Sequence, residues 1–406
     1  MESLIMRCTV FNVLFVLLTC LNLCFSARLN PDIIIRSRDG SQQPATPSLC
    51  AIMVQIYEYP CEEHVVTTPD GFQLPIHHIP HGISGSTGSS QATVVLQHGL
   101  AQGAENFMLN GPSESLAFIL ADAGFDVWVG NTRTTMWSPG NVELSPNTQS
   151  YWNWSFDQLI SYDLPTMLQY VYSTTGNKIH YIGHSQGSLI ALGALSQDTS
   201  LTDLFAASVL LSPVAYLNNS QSIFAKDAAD LYLDKLFDLA GIQEFNPLQG
   251  IGVKLLDLVC ASANFACRAF WAPSTYLNYS RVAYYMQYEP QPTSTINIRH
   301  YAQMVRSGLL QKFDYGTTGN RLQYSQENPP IYDVSKIPSQ VSLLLAYGGK
   351  DALADVTDVQ KLIQNLNCQV QTLFMPQYGH SDFILGTKAN EDVYQPIIKY
   401  LRANSL

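Results

Sequence analysis

Three residues, a serine, an aspartate and a histidine in that chain order, have the types and surroundings for nucleophilic catalysis. Ser185 lies in Gly183-His184-Ser185-Gln186-Gly187, after the apolar run Ile179-His180-Tyr181-Ile182 and before Ser188-Leu189-Ile190-Ala191-Leu192-Gly193-Ala194. A Gly-x-Ser-x-Gly between a strand and a helix reads as a sharp turn that presents the serine hydroxyl, with glycine on each side so that strand and helix can approach. A serine hydroxyl is a poor nucleophile at neutral pH, so it needs a base to take its proton and an acid to hold that base in the right tautomer. Val341 to Tyr347 reads as a buried strand running into Gly348-Gly349-Lys350-Asp351, which puts Asp351 at a strand's carboxyl end. A helix over Val356 to Leu366 and a strand over Val370 to Phe374 then lead to Tyr378-Gly379-His380. One helix and one strand return the chain to the same edge of a parallel sheet, so Ser185, Asp351 and His380 are the expected nucleophile, acid and base.

Neighbouring residues compete for these roles. Asp355 is a rival acid, but it fits better as the cap of the helix that begins beside it. His184 adjoins Ser185 in a tight turn and cannot aim its ring at the same oxygen, so it is expected to pack or to support. His300 falls in a helical segment away from the predicted sheet edge and reads as a surface or capping histidine. Asp382, two residues past His380, reads as orienting or structural. Acyl transfer also needs donors aimed at the developing oxyanion. The backbone N–H of Gln186, directly after the nucleophile, is one expected donor. The other comes from the loop after Thr93-Val94-Val95-Leu96-Gln97, which begins His98-Gly99-Leu100, and Leu100 N–H is the choice.

These residues need a frame, and strands alternating with helices over most of the chain suggest one α/β domain carrying an insertion. The chain has 406 residues, 46% hydrophobic and 13% charged, enough to bury a large core. Its net charge of −11 argues against nucleic acid or an anionic membrane surface as main partner. After Val209-Leu210-Leu211 the next clear strand begins only near Val341, too long a gap for a loop. Ala228 to Leu239 and Ile298 to Leu310 have helical spacing, so a helical cap is expected at 214–330, rich in aromatic residues. A water-excluding lid and an ordinary helical core would both use them.

The sequence at this point resembles the acidic lipases, the family of gastric lipase, lysosomal acid lipase and their plant and insect relatives. The resemblance rests on Tyr59 to His64, Thr68 to Phe72, His98-Gly99-Leu100, Asp126 to Arg133, Ser155-Phe156-Asp157, Tyr162 to Pro165 and Gly183 to Gly187. It continues through Ser307-Gly308, Phe313 to Gly316, Gly348 to Asp351 and His380 to Phe383, so it covers roughly residues 50 to 400. It implies an α/β-hydrolase fold, a mostly parallel sheet with helices on both faces, whose core would be 27–213 and 331–406. The family's triad falls on Ser185, Asp351 and His380, and its oxyanion donors on Leu100 and Gln186. It implies a neutral lipid substrate at a lipid–water interface and triacylglycerol hydrolysis, with sterol esterase or carboxylesterase as the nearest alternatives. A non-catalytic binding protein on the same fold would lack a triad residue. The chain departs from the family in two places: Thr134-Thr135 stand where glycine usually follows the arginine, and Ser381 where an apolar residue usually follows the histidine.

Arg7 precedes an apolar stretch from Cys8 to Phe25 with small residues after it, so 1–26 reads as a cleaved signal peptide, a retained anchor being the alternative. A secreted or lysosome/vacuole-type destination follows. Three of the eight cysteines lie in that leader, leaving Cys50, Cys61, Cys260, Cys267 and Cys368 in a chain that passes an oxidising compartment. Two bridges and one thiol is the simplest count: Cys50 with Cys61 would staple the N-terminal segment, the family's cap bridge falls on Cys260 and Cys267, and Cys368 remains free and buried. Asn153, Asn218 and Asn278 head glycosylation sequons, with Asn153 the least favoured because its aromatic neighbours look buried. Neither a Cys-x-x-Cys pair nor a histidine cluster of zinc spacing occurs, so the sequence indicates no metal and no cofactor.

Overall fold

Runs of β-branched and aromatic residues that can be buried on both faces make central parallel strands, and five such runs form the middle of this molecule. The structure, a computed structural model, describes residues 48–85, 91–222, 243–246 and 274–405, all within one compact unit. In chain order the strands are β1 Glu62–Thr67, β2 Phe72–Ile79, β3 Thr93–Gln97, β4 Asp126–Gly130, β5 Gly140–Asn141, β6 Ile179–His184, β7 Phe205–Leu211, β8 Glu244–Phe245, β9 Thr293–Ser294, β10 Ser342–Gly348 and β11 Gln369–Met375. Nine of them form one sheet in the order β1-β2-β4-β3-β6-β7-β10-β11, with β5 added to β2. Strands β4 to β11 along this path pair in parallel, while β2 runs antiparallel to both neighbours.

The longer helices are α1 Leu116–Asp122, α2 Leu164–Thr175, α3 Gln186–Gln197, α4 Thr295–Ser307, α5 Gly316–Tyr324, α6 Val356–Asn365 and α7 Gln395–Ala403. Alternate strand residues feed two cores. Val95, Trp128, Tyr181 and Leu345 pack with α2, α3 and α6 on one face. Val94, Val127, Ile182 and Ala346 pack with α1 and α7 on the other. The period of two along each strand requires this division. No described helix is long and apolar enough to cross a membrane.

Element ends follow local chemistry. Helix α6 starts where Asp355 Oδ1 accepts the Thr357 N–H at 2.7 Å, the cap expected of that residue. Helix α4 begins at Thr295, three residues before the apolar spacing predicts, because the Ser294 side chain caps it. It ends at Ser307 because Gly308 takes φ +65°, a left-handed stop that glycine adopts without cost. The expected helix at 228–239, the expected leader at 1–26 and the Cys260–Cys267 pair lie outside the described residues. Cys50 and Cys61 form a disulfide, and Cys368 is a free, half-buried thiol.

One buried charge ties the antiparallel edge to the helices. Arg133 is 1% exposed and bonds Asp163 Oδ1 through Nη2 at 2.6 Å and Asp70 Oδ2 through Nη1 at 2.6 Å. Its backbone N–H also donates to Asp163 Oδ2 at 2.9 Å, and Phe72 lies against the guanidinium at 4.2 Å. Removing one partner of a buried pair leaves an uncompensated charge, at a cost of about 3–5 kcal/mol. Asp163→Ala should lower unfolding stability by that order in urea melts, and Asp70→Ala by less, since Asp70 is partly exposed to water. Equal, small losses from both would show that the pair is not what holds this corner.

Candidate active site

Parallel register sets the site before any side chain is considered. Gln97 pairs with Gly183, His184 with Leu211, Leu211 with Ala346, and Gly348 with Met375. The carboxyl ends of β3, β6, β7, β10 and β11 therefore form one edge, the position where open α/β sheets carry their sites. Strand β6 runs two residues further than its apolar run predicts, through Gly183 and His184, straight into Ser185. Ser185 has φ 53° and ψ −112° at the N-cap of α3, a strained conformation for a residue with a side chain. A Cβ on Gly187 would come within 2.3 Å of Gln97 O, and one on Gly183 within 2.6 Å of the Gly187 carbonyl carbon. Only glycine allows this crossing.

Ser185 Oγ lies 2.8 Å from His380 Nε2, and His380 Nδ1 lies 2.9 Å from Asp351 Oδ2 and 3.1 Å from Oδ1. An ionised carboxylate only accepts, so Nδ1 carries the proton of the neutral ring and Nε2 accepts from the Ser185 hydroxyl. Burial raises the Asp351 pKa, but the facing His380 and the Ala354 and Leu353 N–H groups outweigh it and hold the carboxyl below its ordinary range. Asp351 Oδ1 accepts those two N–H groups at 2.8 and 2.9 Å. The chains bearing the acid and the base touch at Gly348, where a Cβ would come within 2.1 Å of Tyr378 O.

Of the surrounding residues, His184 and Asp382 take the supporting roles read from the sequence and His300 does not. His184 Nε2 and Ser212 Oγ each lie 3.2 Å from the His380 carbonyl oxygen, so both brace the base through its backbone. Burial lowers the His184 pKa to about 3, so its ring is neutral. Asp382 accepts N–H bonds from Gly379, Thr275 and Tyr276 and the hydroxyl of Ser274, which ties the histidine loop to the segment between β7 and β10. His300 is not a surface residue. It is fully buried, stacked on Phe156 at 3.5 Å, with Nε2 donating to Gln311 O at 2.8 Å and Nδ1 3.1 Å from Ser155 Oγ. Helical spacing located it correctly but carried no sign of the aromatic face that α4 packs against.

Gly99 lies beside the nucleophile: a Cβ on it would stand 3.0 Å from Ser185 Cβ, so the loop carrying Leu100 borders the hydroxyl. Gln186 Oε1 accepts from Asn297 Nδ2 at 3.0 Å and Tyr301 Oη at 3.2 Å, both on α4. Neither partner was legible in the sequence, because both lie far downstream of the motif they support. Thr134, where the family usually has glycine, takes φ 67°, and its hydroxyl reaches Pro292 O at 3.4 Å. Asn153 is exposed between buried Trp152 and Trp154, so the buried run does not hide that sequon; Asn218 is exposed and Asn278 half-buried. A separate cleft of about 400 Å³, lined by Lys178, Ser342 and Gln369 among others, opens at the opposite end of the sheet and holds none of these residues.

An elbow serine bonded to a histidine and an aspartate at the carboxyl edge of a mostly parallel sheet defines an α/β hydrolase. Residues 92–387 match the α/β hydrolase fold family and residues 50–111 the partial α/β-hydrolase lipase region. The chain is 39% identical to triacylglycerol lipase 1 of Arabidopsis thaliana, over 88% of its own length and 91% of that protein. It is 36% identical to human gastric triacylglycerol lipase over 89% and 94% of the two chains. A monoglyceride lipase from Saccharomyces cerevisiae shares the fold at TM-score 0.54 and 17% identity, over 86% of this chain and 98% of that one. This chain belongs to the acidic lipase family.

Two buried acids lie behind the loop after β3 with no facing cation among the described residues. Glu105 accepts from Trp137 Nε1 at 2.5 Å and Gln291 Nε2 at 2.8 Å, and burial raises its pKa from 4.5 to about 7. Glu289, two residues before Gln291, is 1% exposed, and neither of its oxygens has a hydrogen-bond partner among the described residues. Burial, then the charge of Glu105, raises its pKa well above the ordinary value. The folded state therefore binds more protons than the unfolded state above pH 4.5, so this part of the stability is complete below 4.5 and lost as pH rises through about 7. Glu289→Gln should flatten the decline in Tm between about pH 5 and about pH 8. A Tm profile with the native slope would remove these acids as its cause.

Proposed function

We infer that this protein is a serine ester hydrolase acting on neutral lipids, triacylglycerols foremost, through an acyl-enzyme on Ser185. The observation that carries this reading is the unbroken hydrogen-bond chain from Ser185 through His380 to Asp351 in a member of the acidic lipase family. His380 Nε2 takes the hydroxyl proton as Ser185 Oγ attacks the ester carbonyl carbon. The carbonyl oxygen becomes an oxyanion held by the backbone N–H groups of Leu100 and Gln186. Asp351 stabilises the imidazolium without taking its proton. The proton then passes to the alkoxide leaving group, the alcohol departs, and water repeats the attack to release the fatty acid.

Triacylglycerol is favoured over sterol or short soluble esters by the relatives, which are triacylglycerol lipases of plant and mammal. Residues 214–330 would act as a cap over an acyl channel, opening where a lipid surface covers its apolar underside, since large apolar patches are unfavourable in water. The leader at 1–26 would send the chain to the extracellular space or to a lysosome- or vacuole-type lumen.

Two measurements test the chemistry and the substrate. Ser185→Ala should lower kcat by roughly 10⁶ with the fold intact, and Asp351→Asn by about 10⁴, whereas Asp355→Asn should leave the rate nearly unchanged. Full esterase activity in the serine variant would overturn the mechanism. With native enzyme, hydrolysis of a medium-chain ester should jump once substrate exceeds its solubility limit and forms an interface. A preference for short soluble esters, with no response to emulsified triacylglycerol, would move the assignment to a carboxylesterase with the same triad.

A further inference from the structure

The outer edge of the sheet carries a second cluster of ionisable groups, remote from Ser185. Glu62 and His64 are two apart on β1 and so project from one face, and the antiparallel register sets His78 of β2 directly opposite Glu62. The edge strand β1 and the nucleophile strand β6 are separated by β2, β4 and β3. Glu62 Oε2 lies 3.2 Å from His78 Nδ1 and 3.5 Å from His64 Nε2. All three atoms lie within 4.8 Å of one another.

Only part of this convergence is taken up by a hydrogen bond, the one between His78 Nδ1 and Glu62 Oε2. His78 Nε2 lies 2.5 Å from Asp126 Oδ1, an oxygen that only accepts, so Nε2 holds a hydrogen and Nδ1 is the nitrogen that faces the Glu62 carboxylate. His64 Nε2 is buried and, with Glu62 Oε2 at 3.5 Å, has no hydrogen-bond partner among the described residues. Three donor atoms thus face a common point with no hydrogen bond from His64 to fill it.

The rings are also held from behind. His78 stacks on Trp128 at 3.9 Å, and Asp126 is itself fixed by Trp128 Nε1 at 2.8 Å. His64 Nδ1 lies 2.9 Å from Tyr170 Oη on α2. A carboxylate or hydroxyl bonded to the far nitrogen of each histidine is the outer support that metal-binding imidazoles use to fix tautomer and orientation.

We propose that Glu62, His64 and His78 bind a divalent transition-metal ion, Zn²⁺ by the character of their donors, and so clip the edge strand β1 to β2. Ligands at 2.0–2.1 Å in a tetrahedron stand about 3.3 Å apart, and the two glutamate–histidine separations bracket that value. Two imidazole nitrogens and one carboxylate oxygen suit zinc rather than calcium or magnesium, which favour all-oxygen sets. Water would complete the shell on the open side, where Glu62 is exposed. The site takes no part in ester hydrolysis. Linear spacing hides it, because His78 comes from the neighbouring strand.

The test uses the full chain, stripped with chelator and titrated with Zn²⁺ alone by calorimetry in a non-coordinating buffer. One site is expected, with Tm rising as Zn²⁺ saturates it, since a ligand bound only by the folded state stabilises that state. His64→Gln should abolish both the heat and the Tm rise, and Asp126→Asn should weaken binding about 10- to 100-fold. Glu62→Gln, at an exposed position where folding is not at risk, should weaken binding and leave the metal-free Tm unchanged. Ester hydrolysis should be indifferent to Zn²⁺ and chelator. No Zn²⁺ binding by the native chain, or equal binding by native and His64→Gln chains, would overturn the site and leave the Glu62–His78 contact as an edge-strand hydrogen bond.

Discussion

The contact on which the rest of the site depends is the crossing of Gly187 over the carbonyl of Gln97. It brings the start of α3 against the end of β3, and no residue with a Cβ fits there. Ser185 is driven into positive φ by this crossing, and its N–H donates to Leu211 O at 2.9 Å, so the strain is held between two neighbouring strands. Such a conformation persists only where its surroundings over-determine it. Here they are the central strands of a sheet buried on both faces.

Around that fixed point the other parts are joined by hydrogen bonds rather than by sequence. His380 is braced at its ring by Asp351 and at its carbonyl by His184 and Ser212. The segment between β7 and β10 reaches every part of the site: Ser274, Thr275 and Tyr276 through Asp382, Asn297 and Tyr301 through Gln186, and Gln291 through both Glu105 and the Ala101 carbonyl. A rearrangement of this segment would act on the base and on the residue after the nucleophile together. His380 and Gln186 therefore share one supporting segment.

The buried charges fall into two kinds. Arg133 meets two carboxylates and an aromatic face, so it is compensated over the usual pH range and serves as a fixed joint. Glu105 and Glu289 meet no cation among the described residues, and burial favours their neutral forms. The first arrangement costs desolvation once, at folding. The second changes with the medium, and it lies where Gln291 joins the core to the loop after β3.

Much of this was legible from residue types and spacing, because the signals are local. The elbow glycines, the buried runs that became β3, β6, β7 and β10, the Asp355 cap and the order Ser185, Asp351, His380 all follow from periodicity and turn chemistry over a few residues. The sequence by itself thus determined the elements and the order in which they carry Ser185, Asp351 and His380 to the strand ends. Tertiary structure decided what lies opposite what: His300 is buried on Phe156 rather than at the surface, Asn153 is exposed between buried tryptophans, and Asn297 and Tyr301 meet Gln186. It also paired Glu62 with His78 across two antiparallel strands. Local propensity sets which element a segment forms, but contacts between distant segments depend on register and packing, which no single stretch of chain encodes.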